Sequence, residues 1–191
     1  MQQLITHISK FGSIDAGKLA EIGQYFEART FKKRELLLEE GQRCNEKFFI
    51  VKGCVNLFYL RQNGVEQTID FALENWWTTD FMAFQNGGTA QFSIRAIETT
   101  EVLSISAARQ REMLANEIPE LHGYFHAVFQ RAYAASQVRI RKLYELSKEE
   151  LYHDFISSYP AFIQRVPQYL LASFLGFTPE YLSEIRKKSL S

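Results

Sequence analysis

The sequence changes its periodicity twice, and each change marks a different kind of structure. Residues 15–27, DAGKLAEIGQYFE, carry Leu19, Ile22, Tyr25 and Phe26 at helical spacing, with Asp15 placed to cap the helix. From about residue 30 to 106 the texture turns strand-like. LLLEEG, FFIVKG and CVNLFYL are short apolar runs separated by turn signals, and IRAIETTEVLSIS adds two more strand candidates. Asn63-Gly64, between two such runs, predicts a two-residue type I′ hairpin, in which both turn residues take positive φ. Strands at this regular short spacing predict a small antiparallel barrel or jelly roll.

The second change comes at Pro119. From there to Leu146 there is no further proline and no glycine except Gly123, so one long helix is expected. Leu121, Phe125, Val128, Ala132 and Ala135 form one apolar stripe on it. Phe129, Tyr133, Ser136, Ile140 and Leu143 form a second stripe beside it. A helix that packs on its own domain and also on a partner chain needs two stripes, which points to a homodimer. One wide buried face in a monomer is the alternative. Ser147 and Glu150 have capping-box spacing for a new helix, which Pro160 should end.

The segment VPQYLLASFLGFTPEYLSEIRKK is the most specific motif. Leu170, Leu171, Phe174 and Leu175 supply a packing face, and Gly176 is suited to positive φ just past a helix end. Thr178 is a good N-cap, Pro179 suits the first helical position, and Leu182 and Ile185 face inward. Helix, glycine turn and capped helix make the layout of a helix-turn-helix, or of an ordinary helical hairpin.

Composition limits what else the chain can be. With 46% hydrophobic residues, 4 Pro and 10 Gly, the chain can bury a core and is not linker-rich. Formal charge is zero, so a nucleic-acid partner must be met by a local patch. Residues 160–191 hold such a patch: Arg165, Arg186, Lys187 and Lys188 outnumber Glu180 and Glu184. A solvated helix end whose bases suit the macrodipole would look the same. No apolar run approaches the ~18 residues of a membrane span, and MQQLITHISKF lacks the pattern of a secretory signal. A cytoplasmic protein with no membrane partner is expected. Cys44 and Cys54 read as reduced thiols or, alternatively, a disulfide, and two cysteines are too few for an iron–sulfur cluster. His122 and His126 stand four apart on the long helix, but no third ligand is evident and no metal is expected. No phosphate-cradling glycine loop and no GxSxG elbow occurs, so no catalytic residue is assigned and the chain does not read as an enzyme.

The order of these pieces resembles the Crp/Fnr family of bacterial transcription regulators. EEGQ, FFIVKG and IRAIETTEVLSIS are similar to that family's β-roll turns and strands, and LGFTPEYLSEIRKK to its recognition-helix region. The resemblance implies an α+β chain. Residues 1–118 would form an antiparallel, jelly-roll-like β-roll (a double-stranded β-helix) of the cyclic-nucleotide-binding type, acting as sensor. Residues 119–146 would be the dimerisation helix. Residues 147–191 would form a small all-α helix-turn-helix domain. It further implies double-stranded DNA, a second copy of the chain, a small-molecule effector and RNA polymerase as partners. Thr178, Pro179, Glu180, Ser183 and Glu184, with Arg186, Lys187 and Lys188 on phosphates, would meet DNA. Glu180 stands at the family's glutamate, but its two arginine positions hold Pro179 and Glu184. The sequence leaves no room for the β-hairpin wing that many members carry, so a compact, wing-less type is expected.

The resemblance also locates the sensor. Cyclic-nucleotide-binding relatives use a Gly-Glu pair and an Arg-Ser or Arg-Thr pair about ten residues on. Thr79-Asp80 and Ala90-Gln91 occupy those places. The phosphate arginine is missing, and cyclic AMP is not expected. Trp76, Trp77, Phe81, Phe84 and Phe92 crowd the same stretch and either fill the interior or line a pocket for an apolar effector, with Trp77, Thr79, Asp80, Phe81, Ala90, Gln91 and Phe92 as its candidate lining. The rival reading is a sensor-only signalling protein whose C-terminal helices bind a protein instead of DNA, which the acidic Glu180 and Glu184 would suit.

Overall fold

The computed structural model describes residues 1–189. At the N-terminus, α1 (Gln2–Ile8) is followed by α2 (Ala16–Glu21) and a 3-10 turn at Ile22–Tyr25. Asp15 caps α2, its carboxylate accepting from the N–H groups of Gly17 and Lys18. Eight strands follow: β1 (Glu27–Phe31), β2 (Leu36–Leu38), β3 (Glu46–Lys52), β4 (Val55–Leu60), β5 (Glu66–Ala72), β6 (Trp77–Thr78), β7 (Ser93–Ala96) and β8 (Thr100–Ser106), with α3 (Phe81–Asn86) between β6 and β7. They make two four-stranded sheets, ordered β1-β8-β3-β6 and β2-β7-β4-β5. The registered pairs β1–β8, β3–β8, β3–β6, β2–β7 and β4–β7 are antiparallel. This is an antiparallel β-roll, as the resemblance implied, where the spacing of the apolar runs predicted a small antiparallel barrel or jelly roll.

β3 explains why those runs are continuous instead of alternating. Successive side chains of a strand point to opposite faces, and both faces of β3 are covered. Phe48 and Ile50 join the roll interior with Phe31, Val55, Ile94 and Val102. Phe49 turns the other way, into a cluster with Leu4, Ile8, Trp77, Leu103, Ile105, Leu121 and Phe125 that seats the helices on the outer face of the sheet. Gly53, at φ +103°, makes the β3–β4 turn, where a Cβ would fall 2.5 Å from Thr100 Oγ1 and 2.8 Å from the Thr99 carbonyl. Only glycine fits there. Cys44 and Cys54 are both buried and do not form a disulfide.

The Asn63-Gly64 turn differs from expectation. Gly64 has φ +78°, but Asn63 is not among the residues with positive φ. Gly64 N–H donates to the Arg61 carbonyl at 2.8 Å and Arg61 N–H to that of Val65 at 3.0 Å. The connection is therefore a three-residue loop closed by a left-handed glycine and not a type I′ pair. Asn63 Oδ1 accepts from Val65 N–H at 3.1 Å, a local bond that stabilises this longer turn.

After β8 come α4 (Ala107–Glu112) and a wide turn at 113–117, and then α5 (Leu121–Glu145), the long helix. The C-terminal part consists of α6 (Lys148–Ser158), α7 (Pro160–Arg165), α8 (Gln168–Leu175) and α9 (Pro179–Ser189). Ser147 and Glu150 form the full capping box of α6. Pro160 does end α6, but it also opens α7 from its first turn, a helix beyond those the sequence predicts. The chain divides into two compact units. One holds Met1–Tyr59 and Asp70–Phe129; the other holds the hairpin tip Leu60–Ile69 and the helical part from Gln130 onward.

Candidate functional site

The residues proposed to line an effector pocket do not share one environment. Trp77 lies in the helix-side cluster and Ala90 in the roll interior. Phe92 meets Tyr59 edge to face at 6.4 Å. Phe81 is 39% exposed, and Gln91 is exposed on the surface. Thr79 and Asp80 are buried, and their polar atoms are engaged. Thr79 Oγ1 donates to the Glu46 carbonyl at 2.8 Å and lies 3.2 Å from Cys44 Sγ. Burial raises the Cys44 thiol above its ordinary value, partly offset by its hydrogen bonds to Thr79 and Asp80.

Asp80 is the N-cap of α3, Oδ1 accepting from Ala83 N–H at 3.0 Å. Its Oδ2 accepts from Gln91 N–H at 2.8 Å. Both carboxylate oxygens are thus bound to backbone donors, one at each end of the segment that carries Ala90 and Gln91. Arg95, beside this segment, packs over the Phe58 ring at 4.3 Å.

Sequence reading missed Lys47. It is 1% exposed and heads the largest fully buried side chains. On β3 it shares a face with Phe49, the face covered by helices. Its Nζ sits 3.5 Å from the ring centre of Phe125, 4.5 Å from Trp77, 5.8 Å from Phe129 and 5.9 Å from Phe84. Among the described residues it has no hydrogen-bond partner. Desolvation holds the amine well below the ordinary lysine value. The only signal in the sequence was a lysine at the head of an otherwise apolar strand, which reads as a strand end. Nearby, Trp77 Nε1 donates to Tyr124 Oη at 2.9 Å, and His7 Nδ1 lies 2.8 Å from the same oxygen. Burial pushes the Tyr124 phenol up.

The two stripes of α5 diverge along its length. Leu121 and Phe125 are buried and Val128 packs against the same cluster. Ala132, Ala135 and Ser136 are exposed, as are Phe129 (39%), Tyr133 (67%), Ile140 (54%) and Leu143 (44%). From Gln130 to Glu145 no residue of α5 is buried. His122 and His126 are exposed on this helix, and among the described residues no three metal-ligating side chains come together. No helix among the described residues is long and apolar enough to cross a membrane.

The C-terminal helices form a packed pair. Gly176 caps α8 at φ 77°, ψ 28°. Thr178 Oγ1 accepts from Tyr181 N–H at 3.2 Å at the start of α9. Leu182 and Ile185 are buried, while Thr178, Pro179, Glu180, Ser183, Glu184, Arg186, Lys187 and Lys188 are exposed along α9 and its N-cap. Lys188 also reaches Glu149 at 3.3 Å. α8 is tied to the hairpin tip: Ser173 Oγ accepts from Thr68 N–H at 2.9 Å, and Gln67 Nε2 donates to the Ser173 carbonyl. Arg139 of α5 donates to the carbonyls of Ile69 and Phe174 and lies 3.9 Å over the Phe174 ring.

Residues 28–117 match the cyclic nucleotide-binding domain. The β-roll is a domain of that type. No curated protein matches the sequence significantly. Among solved structures, the c-di-GMP responsive global regulator CLP of Xanthomonas campestris is similar, at 15% identity, 92% of each chain and a TM-score of 0.72. FixK2 of Bradyrhizobium japonicum is similar at 16% identity, 85% of this chain, 83% of that one and a TM-score of 0.72. The catabolite activator protein of Thermus thermophilus gives 17%, 93%, 84% and 0.58. At these identities the likeness is one of fold. It extends past the cyclic nucleotide-binding domain into the helical part.

Proposed function

We propose that this chain is a DNA-binding transcriptional regulator of the Crp/Fnr type that acts as a homodimer. In this reading residues 1–118 are the sensor, 119–146 the dimerisation helix and 147–191 the DNA-binding domain. The observation that carries it is the pair α8–α9. Its left-handed Gly176 turn, Thr178 cap and buried Leu182 and Ile185 leave one full face of α9 outward. A helix so held can enter a major groove with its N-terminal residues on base edges. Glu180, Ser183 and Glu184 would read bases, a glutamate accepting from cytosine N4. Arg186, Lys187 and Lys188 would bind phosphates and add salt dependence. The likeness in fold to a global regulator and a catabolite activator protein supports the same reading, and RNA polymerase would then be a further partner.

The exposed residues of α5 support the dimer. Tyr133, Ile140 and Leu143 leave apolar area in water that a second copy would cover. As for the effector, both Asp80 oxygens are taken by Ala83 and Gln91 N–H, and Ala90 and Gln91 offer no cation. A ribose hydroxyl and a cyclic phosphate would find neither partner, so the domain does not suit cyclic AMP.

Selection from random duplexes at two salt concentrations tests this reading. A palindrome with half-sites about one helical turn apart is expected. Sequence-independent recovery would assign the C-terminal helices to a protein partner instead.

A further inference from the structure

Most buried polar groups in folded proteins are hydrogen-bonded, and an exception asks for an explanation. Lys47 Nζ is such an exception among the described residues. Its surroundings define what would satisfy it. Four aromatic rings, those of Trp77, Phe84, Phe125 and Phe129, stand within 5.9 Å of Nζ. They supply apolar area and no acceptor. The titratable groups on the elements packed around it have other partners. Asp80 binds Ala83 and Gln91, the Cys44 thiol binds Thr79, and Tyr124 is engaged by Trp77 and His7. His126 is exposed. The amine lies on the helix-covered face of β3 with Phe49, not on the Phe48 and Ile50 face that lines the roll interior.

We propose that the seam between β3 and α5 binds a small apolar carboxylic acid, whose carboxylate pairs with Lys47 Nζ while its body lies on Trp77, Phe84, Phe125 and Phe129. One amine among rings suits one negative charge on an apolar body. A phosphate would need several donors, and this seam offers a single one. The bound form is an ion pair of zero net charge, which costs far less to bury than a lone ammonium, and wherever the free amine is neutral one proton joins it on binding. The way in is short. Phe129 is 39% exposed, and its ring meets the 39% exposed Phe81 edge to face at 5.1 Å. In this proposal the Phe129 ring swings outward to admit the acid. Because Phe129 belongs to α5, occupancy alters the surface this helix presents. The site goes beyond the DNA-binding reading and stands without it.

Calorimetry on the full chain with benzoate and octanoate, in buffers of different ionisation enthalpy, tests this. Saturable binding is expected at one site, with proton uptake growing toward about one as pH rises through the pKa of the free amine. Benzamide, which carries no charge, should not bind. Lys47→Met should keep a cooperative melt, weaken acid binding at least about ten-fold and abolish the proton uptake. No saturable heat from the native chain at millimolar acid, equal binding of benzamide, or binding without proton uptake at any pH up to the ordinary lysine value would each overturn the proposal, and none of these needs a variant. DNA retention is read separately. Its loss with acid binding intact removes only the regulator reading, and the converse removes only this one.

Discussion

Asp80 and Lys47 are both ionisable, both nearly inaccessible, and both in the same compact unit, yet they are treated in opposite ways. Asp80 accepts from two backbone N–H groups, at 3.0 and 2.8 Å, and so fastens both ends of the α3 segment. Among the described residues Lys47 has four rings and no acceptor. A buried charge with full hydrogen bonding holds structure in place, whereas one without it lowers stability and is open to a new partner. The acid that resemblance marked as a ligand residue is therefore a structural cap, and the lysine that no motif marked is a buried group with unused bonding capacity.

Substitutions at the two positions should move stability in opposite directions, and the largest effect is expected at Asp80. Asp80→Ala removes a cap and leaves Gln91 N–H without its acceptor, a loss of about 3 kcal/mol in urea unfolding. Asp80→Asn keeps the cap but turns a donor or a single acceptor toward two N–H groups, so about half that loss is expected. Equal melting of the native and Ala forms would show that the capping role is idle. Lys47→Met should instead stabilise the chain by about 1–2 kcal/mol, because it replaces an unsatisfied amine by an apolar side chain of similar volume. A loss of stability would mean that the rings compensate the amine fully.

A smaller effect should appear with pH. The folded-state value of Lys47 is depressed, so the unfolded chain binds more protons between that value and the ordinary lysine value. Stability attributable to Lys47 is full above the ordinary value and is lost as pH falls through the depressed one. Cys44 and Tyr124 are shifted upward, so their contributions are lost as pH rises past their ordinary values. Subtracting the Lys47→Met profile from the native one cancels those two. The remaining difference should rise with pH; a flat difference would mean that Lys47 titrates normally. The smallest effect concerns cyclic AMP. At millimolar nucleotide no measurable rise in melting temperature is expected, because ligand stabilisation requires binding to the native state. A saturating rise would show that Asp80 releases its backbone partners for a ligand.

Local signals in the sequence were legible wherever the controlling interaction is short in range. The Asp15 cap, the Ser147–Glu150 box, the Gly176 turn and the Thr178 cap each involve residues two to four apart, and each has the expected form. A small antiparallel barrel or jelly roll was legible from apolar runs and turn residues, and the resemblance narrowed it to a β-roll. Asn63-Gly64 misled because Gly64 alone takes positive φ, and the side chain of Asn63 stabilises a longer loop than the pair usually makes. α7 was missed because Pro160 reads equally as a stop and as a start.

The sequence by itself determined the caps of α2, α6 and α9, the glycine end of α8, the order of apolar runs and turns that becomes the strands, and the two apolar stripes of α5. These follow from backbone sterics, capping and side-chain period, all of them local. Only the tertiary structure decided that both oxygens of Asp80 are spent on Ala83 and Gln91, that Trp77, Ala90 and Phe92 lie in separate surroundings, and that Lys47 of β3 meets Phe125 and Phe129 of α5. Those outcomes join residues far apart in the chain, and which atoms remain without a bonding partner depends on how the sheet and helices close around them.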